Sequence, residues 1–118
     1  MVPEFIKRAD SALLAAYPDV IPCSFGHIGD GNIHYNPMQP NEWIKTPSFH
    51  SERATINRLV HDIVMDLGGS ISAEHGIGQL RLEENMRYKS KVELDMMRSI
   101  KIALDPHQIM NPGKIFRL

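Results

Sequence analysis

The stretch GHIGDGNIH at residues 26–34 is the centre from which we interpret this 118-residue sequence. Asp30 and Gly31, which lie between apolar residues, predict a tight β-hairpin whose two central residues have positive φ. A two-residue loop makes position 29 face 32, position 28 face 33 and position 27 face 34. This register places His27 directly opposite His34 on one face of the hairpin, with Cβ atoms roughly 4.5–5.5 Å apart.

The face that carries these histidines is predicted to be polar. Alternation along the second strand puts Asn32, His34 and Asn36 on the same side as His27, so the face resembles one wall of a polar pocket. Two imidazoles at such a distance, with a carboxylate nearby, suit zinc or a similar divalent ion. The alternative is a His-rich polar turn with ordinary hydrogen bonds, and the spacing leaves both interpretations open.

A carboxylate for such a site is found later in the chain. Glu74 and His75 end a predicted strand and enter a turn that contains Gly76 and Gly78, and catalytic groups are often presented from such an edge. Zinc bound by two histidines and one glutamate keeps a fourth position open, which is typical of catalytic sites. Three further histidines, His50, His61 and His107, are interpreted as surface or structural residues.

Hydrophobic periodicity and turn residues predict an α+β fold. The first half of the chain is expected to form a helix over 3–17, strands over 20–28 and 32–37, and a loop over 38–47. The next helix opens at residues 46–48 and closes at Gly68-Gly69. A short strand over 70–74, a polar helix or turn over 79–88, and a last helix from Ser90 to about Leu104 follow. The order is αββαβ(α)α, with a small, mainly antiparallel sheet and a βαβ crossover. Three strands make a thin sheet, so we expect a missing strand or a partner to complete it.

The last helix has the clearest local signals. Ser90 and Glu93 form a capping box at its start. Its apolar residues recur at helical spacing and are predicted to face inward as core: Val92, Met96, Met97, Ile100 and Leu104. The tail, residues 109–116, is expected to be a loop followed by a short extended segment.

Composition excludes several classes of function. The chain is 42% hydrophobic and 23% charged, with a formal net charge of −1, so no basic surface points to nucleic acid or an anionic membrane. No apolar run approaches the roughly 20 residues of a membrane span, and we expect no signal peptide. The single cysteine, Cys23, excludes an internal disulfide and fits a reducing compartment, so we expect a cytoplasmic protein, or a mitochondrial matrix protein in a eukaryote.

Three motifs together resemble a known family. They are GHIGDGNIH at 26–34, SAEHGIG at 72–78 and DPHQIMNPGK at 105–114. In this order they resemble the C-terminal domain of FAD-linked oxidases, a group that includes D-lactate dehydrogenases, D-2-hydroxyglutarate dehydrogenases and the glycolate oxidase catalytic subunit. The likeness covers nearly the whole chain and implies a fold like half of a ferredoxin-like cap.

The resemblance implies a role for each of six residues. His27, His34 and Glu74 would bind a metal, usually zinc, beside the flavin. His75 would be the general base and would contact the substrate. Asn36 would bind the substrate, and Asn32 would lie near the flavin.

The family's FAD-binding domain lies upstream of this domain and is absent from the sequence. We therefore expect residues 1–118 to be a single domain, the C-terminal fragment of a larger FAD-dependent enzyme that oxidises a D-2-hydroxy acid, such as lactate, 2-hydroxyglutarate or glycolate, to the 2-oxo acid. The partners implied are that small-molecule acid, the missing FAD-binding domain and a second copy in a homodimer, and the fragment alone should be inactive. The alternatives are a metal-dependent hydrolase, distinguished by flavin absorbance, and a non-catalytic packing domain, distinguished by metal analysis.

Overall fold

A computed structural model of the chain describes residues 1–39 and 51–117. The described residues form four α-helices and one two-stranded antiparallel sheet in the order αββααα, so the α+β class is confirmed. The elements are α1 (Val2–Ala16), β1 (Ile21–His27), β2 (Asn32–Met38), α2 (Arg53–Asp66), α3 (Leu82–Tyr88) and α4 (Lys91–Leu104). His50, the predicted opening of a helix at 46–48 and most of the predicted loop over 38–47 lie outside the described residues.

The chain divides into two compact units, Met1–Ala73 and Glu74–Leu118. The first unit contains α1, the hairpin and α2, and its core is built on Leu13, Val20 and Ile56, each at most 4% exposed. Burial of side chains of this size stabilises a fold by about 1.5–3 kcal/mol each. Tyr35 of β2 packs against this cluster and joins the hairpin to the helices. An ion pair of 2.7 Å between Arg8 and Asp66 also joins α1 to α2.

The end of α2 follows the prediction from the glycine pair. Gly68 has a φ of +69°, and its N–H donates to the Met65 carbonyl at 2.9 Å. The Gly69 N–H donates to the Val64 carbonyl at 2.8 Å. Glycine suits this position because the left-handed conformation needed to satisfy the last carbonyls costs it least.

The predicted two-residue hairpin loop is wrong. Residues Ile28–Asp30 form one 3₁₀ turn, and Gly31, with a φ of +71°, closes it by donating to the Ile28 carbonyl at 3.2 Å. Asp30 does not have the positive φ that a type I′ turn requires. His27 therefore pairs with Asn32, and His34 pairs with Phe25.

The predicted third strand over 70–74 and the βαβ crossover are also wrong, since the sheet in the described part of the chain has two strands. The Ser70 hydroxyl accepts a hydrogen bond from the Ser72 N–H at 3.4 Å, so local bonds replace a strand ladder here. Gly76 and Gly78 then take positive φ values of +67° and +56°, which ends any extended run.

The second unit contains α3, α4 and the tail. Its most buried side chains are Leu82, Asn85, Asp105 and Phe116, each at most 8% exposed. The capping box at the start of α4 is confirmed, and the Lys89 ammonium together with bonds from Ser90 lowers the pKa of Glu93 to about 2. Asp105 follows α4 and accepts backbone N–H bonds from residues 109 and 110 at 3.0 and 2.8 Å. In the described residues the tail forms turns and bends, and the short extended segment predicted there is not formed.

The inward orientation predicted for the apolar residues of α4 is wrong at four of its five positions. Val92, Met96, Ile100 and Leu104 are 58–73% exposed, and Met97 is half-buried. Amphipathic spacing predicts which side of a helix is apolar, but the α4 side that packs in this unit is the one that carries Arg98, whose guanidinium lies 5.0 Å from the centre of the Phe116 ring. None of the helices in the described ranges is long and apolar enough to cross a membrane.

Candidate functional site

The hairpin brings four of the six predicted site residues onto one face. Directly opposed residues of an antiparallel pair point to the same side, so the pairs His27–Asn32 and Phe25–His34 share a face, and Asn36 follows by alternation. The prediction of a common face is therefore confirmed despite the different loop. The observed register is displaced from the predicted one by two positions, which leaves the facing of every side chain unchanged.

The two histidines are diagonal neighbours on this face, since His34 is two positions beyond the residue that opposes His27. Such a diagonal separates side chains by roughly 7–8 Å, compared with about 5 Å for a directly opposed pair. The His34 ring stacks on Phe25 with its centroid 5.0 Å away and an angle of 16° between the planes. Phe25 therefore restricts the orientation of one predicted ligand, a contact that the predicted register could not reveal.

A close backbone approach sets the shape of the hairpin next to these residues. Gly26 has a φ of +146°, and a Cβ atom added there would lie 2.4 Å from the Asn32 carbonyl oxygen. No side chain fits in that space without movement of the backbone. Glycine at position 26 is thus a condition for the local pairing of His27 with Asn32.

The opposite face of the hairpin is fixed by Tyr35. Its hydroxyl donates to the Asp10 carboxylate at 2.8 Å, and its ring contacts Phe5 edge-on with the centroids 5.6 Å apart. Burial, and then the Asp10 carboxylate, raise the pKa of Tyr35 well above its ordinary value. Tyr35 is not among the residues predicted for the site, although alternation with His34 and Asn36 places it on the inner face.

Glu74 and His75 belong to the second unit. The Glu74 Oε2 atom lies 3.8 Å from His75 Nε2, within ion-pair distance, and the two side chains are 36% and 67% exposed. Neighbouring residues thus present a carboxylate and an imidazole at the same place. His107 is also exposed, in a turn after α4, and His61 is half-buried on α2.

The donor types fit a zinc-like ion. The three predicted ligands offer two imidazoles, at His27 and His34, and one carboxylate, at Glu74. Nitrogen and oxygen donors of this kind are usual in catalytic zinc sites. The assignment of these three residues as ligands stays a prediction. The roles of Asn32, Asn36 and His75 stay predictions in the same way.

Comparison with known proteins gives one consistent family. The sequence profile described as "FAD linked oxidases, C-terminal domain" matches residues 1–115. The chain is 43% identical over 115 residues to a D-2-hydroxyglutarate dehydrogenase of Stutzerimonas stutzeri, covering 98% of this chain and 25% of that protein. It is 39% identical over 116 residues to a D-lactate dehydrogenase of Archaeoglobus fulgidus, covering 98% and 24%.

A third relative is the glycolate oxidase subunit GlcD of Bacillus subtilis, which is 33% identical over 107 residues, covering 87% of this chain and 21% of the subunit. The chain thus spans about a quarter of the length of the curated relatives that it matches. The matched residues include the hairpin, the Glu74-His75 turn and the tail. The chain belongs to the FAD-linked oxidases, and it corresponds to the C-terminal domain of that family.

Proposed function

We propose that this chain forms the substrate and metal site of an FAD-dependent D-2-hydroxy-acid dehydrogenase that oxidises acids such as lactate, 2-hydroxyglutarate or glycolate to 2-oxo acids. The observation that carries the proposal is the polar hairpin face in a member of this family: Asn32, His34 and Asn36 alternate on one strand, and His27 joins them from the other. The polar side chains on this face are imidazoles and amides, which can bind a metal ion or hydrogen-bond a substrate.

Each of these residues has a role in the proposal. When bound, a divalent metal such as zinc would supply Lewis-acid polarisation of the substrate oxygens, and a flavin would supply the acceptor for the hydride. His27, His34 and Glu74 hold the metal. Asn36 orients the substrate through amide hydrogen bonds, and Asn32 lies on the flavin side.

His75 is the proposed base. An imidazole takes up and releases protons near neutral pH, and the Nε2 atom of His75 would accept the proton of the α-hydroxyl. Its side chain adjoins the Glu74 carboxylate at 3.8 Å and is 67% exposed, so it has a route to return the proton to water.

The whole enzyme also needs a domain that binds FAD, and we propose that the rest of the full-length protein supplies it. The relatives' greater length supports this view. In a homodimer each copy would carry its own site. We propose a location inside the cell, in the cytoplasm or the mitochondrial matrix.

The proposal is tested with the purified full-length protein. We expect a flavin absorbance spectrum and reduction of that flavin by D-lactate, D-2-hydroxyglutarate or glycolate, but not by L-lactate. A colourless protein that hydrolyses esters or amides in a metal-dependent way would favour the hydrolase alternative. A colourless protein with neither activity would leave the domain a packing module.

A further inference from the structure

In the turn that follows Glu74 and His75, three consecutive carbonyl groups, those of residues 76–78, accept hydrogen bonds. The Gly76 oxygen accepts from the Arg81 Nη1 atom at 3.2 Å, the Ile77 oxygen from the Arg81 backbone N–H at 3.3 Å, and the Gly78 oxygen from the Ile115 N–H at 2.9 Å. Two of these three bonds come from one residue. The carbonyl groups of a surface turn can bond to water instead. Bonds from protein groups to three consecutive carbonyls therefore indicate that the rest of the unit holds this turn in one conformation.

The two glycines allow the turn but do not hold it. An added Cβ at Gly76 or Gly78 would meet nothing within 4 Å, so glycine is needed there for its positive φ and not for space. Glycine loses more conformational freedom on ordering than any other residue, so a turn with two glycines is costly to order. The hydrogen bonds from outside the turn are therefore what fix its conformation.

Arg81 is itself anchored by the residues that follow it. It directly precedes α3, whose residues Leu82 and Asn85 are 8% and 1% exposed. The Asn85 side-chain amide donates to the Ile115 carbonyl at 3.5 Å, while the Ile115 N–H binds the turn. The buried part of α3 thus serves as a fixed base from which both Arg81 and Ile115 reach the turn.

We propose that Arg81 is a positioning residue that acts through the Gly76 carbonyl and fixes the backbone that presents Glu74 and His75. The inference rests on the proposed function of those two residues. Groups that ligate a metal or transfer a proton must be held within about 0.5 Å of a productive geometry, and exposed side chains on a glycine-rich turn need support from outside. The bond to Gly76 is the one contact of this set that a side-chain substitution removes.

The test compares three variants of the full-length protein with bound flavin. Arg81→Met removes the guanidinium and keeps a side chain of similar reach. Arg81→Lys keeps one charged donor for the Gly76 oxygen. Arg87→Met is the matched control, because it removes the same charge from the exposed side of α3, where Arg87 lies near the Tyr88 ring.

Hydrogen exchange of peptides that cover residues 74–80 is the first measurement. We expect about tenfold faster exchange in Arg81→Met, the effect of losing one charge-assisted hydrogen bond, and a rate close to that of the wild type in Arg81→Lys and Arg87→Met. The second measurement is steady-state kinetics with the preferred D-2-hydroxy acid. We expect kcat to fall about tenfold in Arg81→Met with KM changed less than twofold, and Arg81→Lys to recover most of the loss.

Two results would overturn the inference. One is exchange and kcat in Arg81→Met equal to those of Arg87→Met, which would make Arg81 an ordinary surface charge. The other is a large rise in KM at unchanged kcat, which would make Arg81 a substrate contact. A wild-type enzyme that oxidises no D-2-hydroxy acid would instead refute the proposed function, and the exchange rates alone would then decide whether Arg81 holds the turn.

Discussion

The hydrogen bond from Tyr35 to Asp10 should be a main support of the polar hairpin face, and Tyr35→Phe tests it. The substitution removes the hydroxyl that donates to the Asp10 carboxylate at 2.8 Å and leaves the ring on Phe5 in place. A hydrogen bond to a charged group contributes about 1.5–3 kcal/mol, and the half-buried setting of Tyr35 reduces this to about 1–2 kcal/mol.

Tyr17→Phe is the matched control. Its hydroxyl donates to Glu52 at the same distance, 2.8 Å, but its pKa is raised less than that of Tyr35, which indicates a more solvated hydroxyl. We expect Tyr17→Phe to lower the free energy of unfolding by only about 0.5 kcal/mol. Urea denaturation of the chain, followed by far-UV circular dichroism, measures both changes.

The same bond predicts a pH dependence. Folding raises the pKa of Tyr35 through burial and Asp10, so the folded state retains the phenol proton above pH 10, where the unfolded chain releases it. The contribution of Tyr35 is therefore complete below about pH 10 and declines as the pH rises further. The difference in stability between wild type and Tyr35→Phe should shrink above pH 10. Equal losses in the two Phe variants, or a difference independent of pH, would refute this reasoning.

Three other predictions concern the site itself. Gly26→Ala should lower the free energy of unfolding by about 2 kcal/mol or more, because its Cβ would lie 2.4 Å from the Asn32 carbonyl oxygen. Gly29→Ala is the control, since its Cβ would meet nothing within 4 Å, and it should lower the free energy of unfolding by less than about 0.5 kcal/mol. The same urea titration measures both changes. In the full-length protein, a chelator should abolish activity and zinc should restore it. Glu74→Gln should weaken zinc binding at least tenfold by competition with a chromophoric chelator, and Glu83→Gln, an exposed glutamate on α3, should not.

Local sequence signals predicted the parts of the fold that local contacts decide. Ser90 and Glu93 cap α4 as expected, because a capping box needs only residues within one turn. The common face of His27 and His34 was also predictable, since strand alternation is unaffected by a shift of two positions. The conformation of the hairpin loop was not predictable, because the pair Asp30-Gly31 is compatible both with a type I′ turn and with the 3₁₀ turn that the chain adopts.

Features that depend on distant residues were not predictable. The spacing of the apolar residues of α4 identified the apolar side of the helix, but it could not show that this side, with Met96 and Ile100, is exposed within its own unit. Arg81 carried no signal, because its partner, the Gly76 carbonyl, is a backbone atom that no sequence pattern distinguishes. The roles proposed for His27, His34 and Glu74 depend on chemistry that neither alternation nor packing determines.

The central claim is that His75 and the hairpin face act on a D-2-hydroxy acid beside a flavin. The most direct measurement is anaerobic stopped-flow absorbance of the full-length protein mixed with D-lactate, D-2-hydroxyglutarate or glycolate, in the wild type, His75→Asn and, as the control, His107→Asn. We predict flavin bleaching in the wild type and His107→Asn, and bleaching at least a hundredfold slower in His75→Asn, since a positioned base contributes about 10²–10⁴ to rate. Bleaching of His75→Asn at the wild-type rate, or no bleaching of the wild type by any of these acids, would contradict the account.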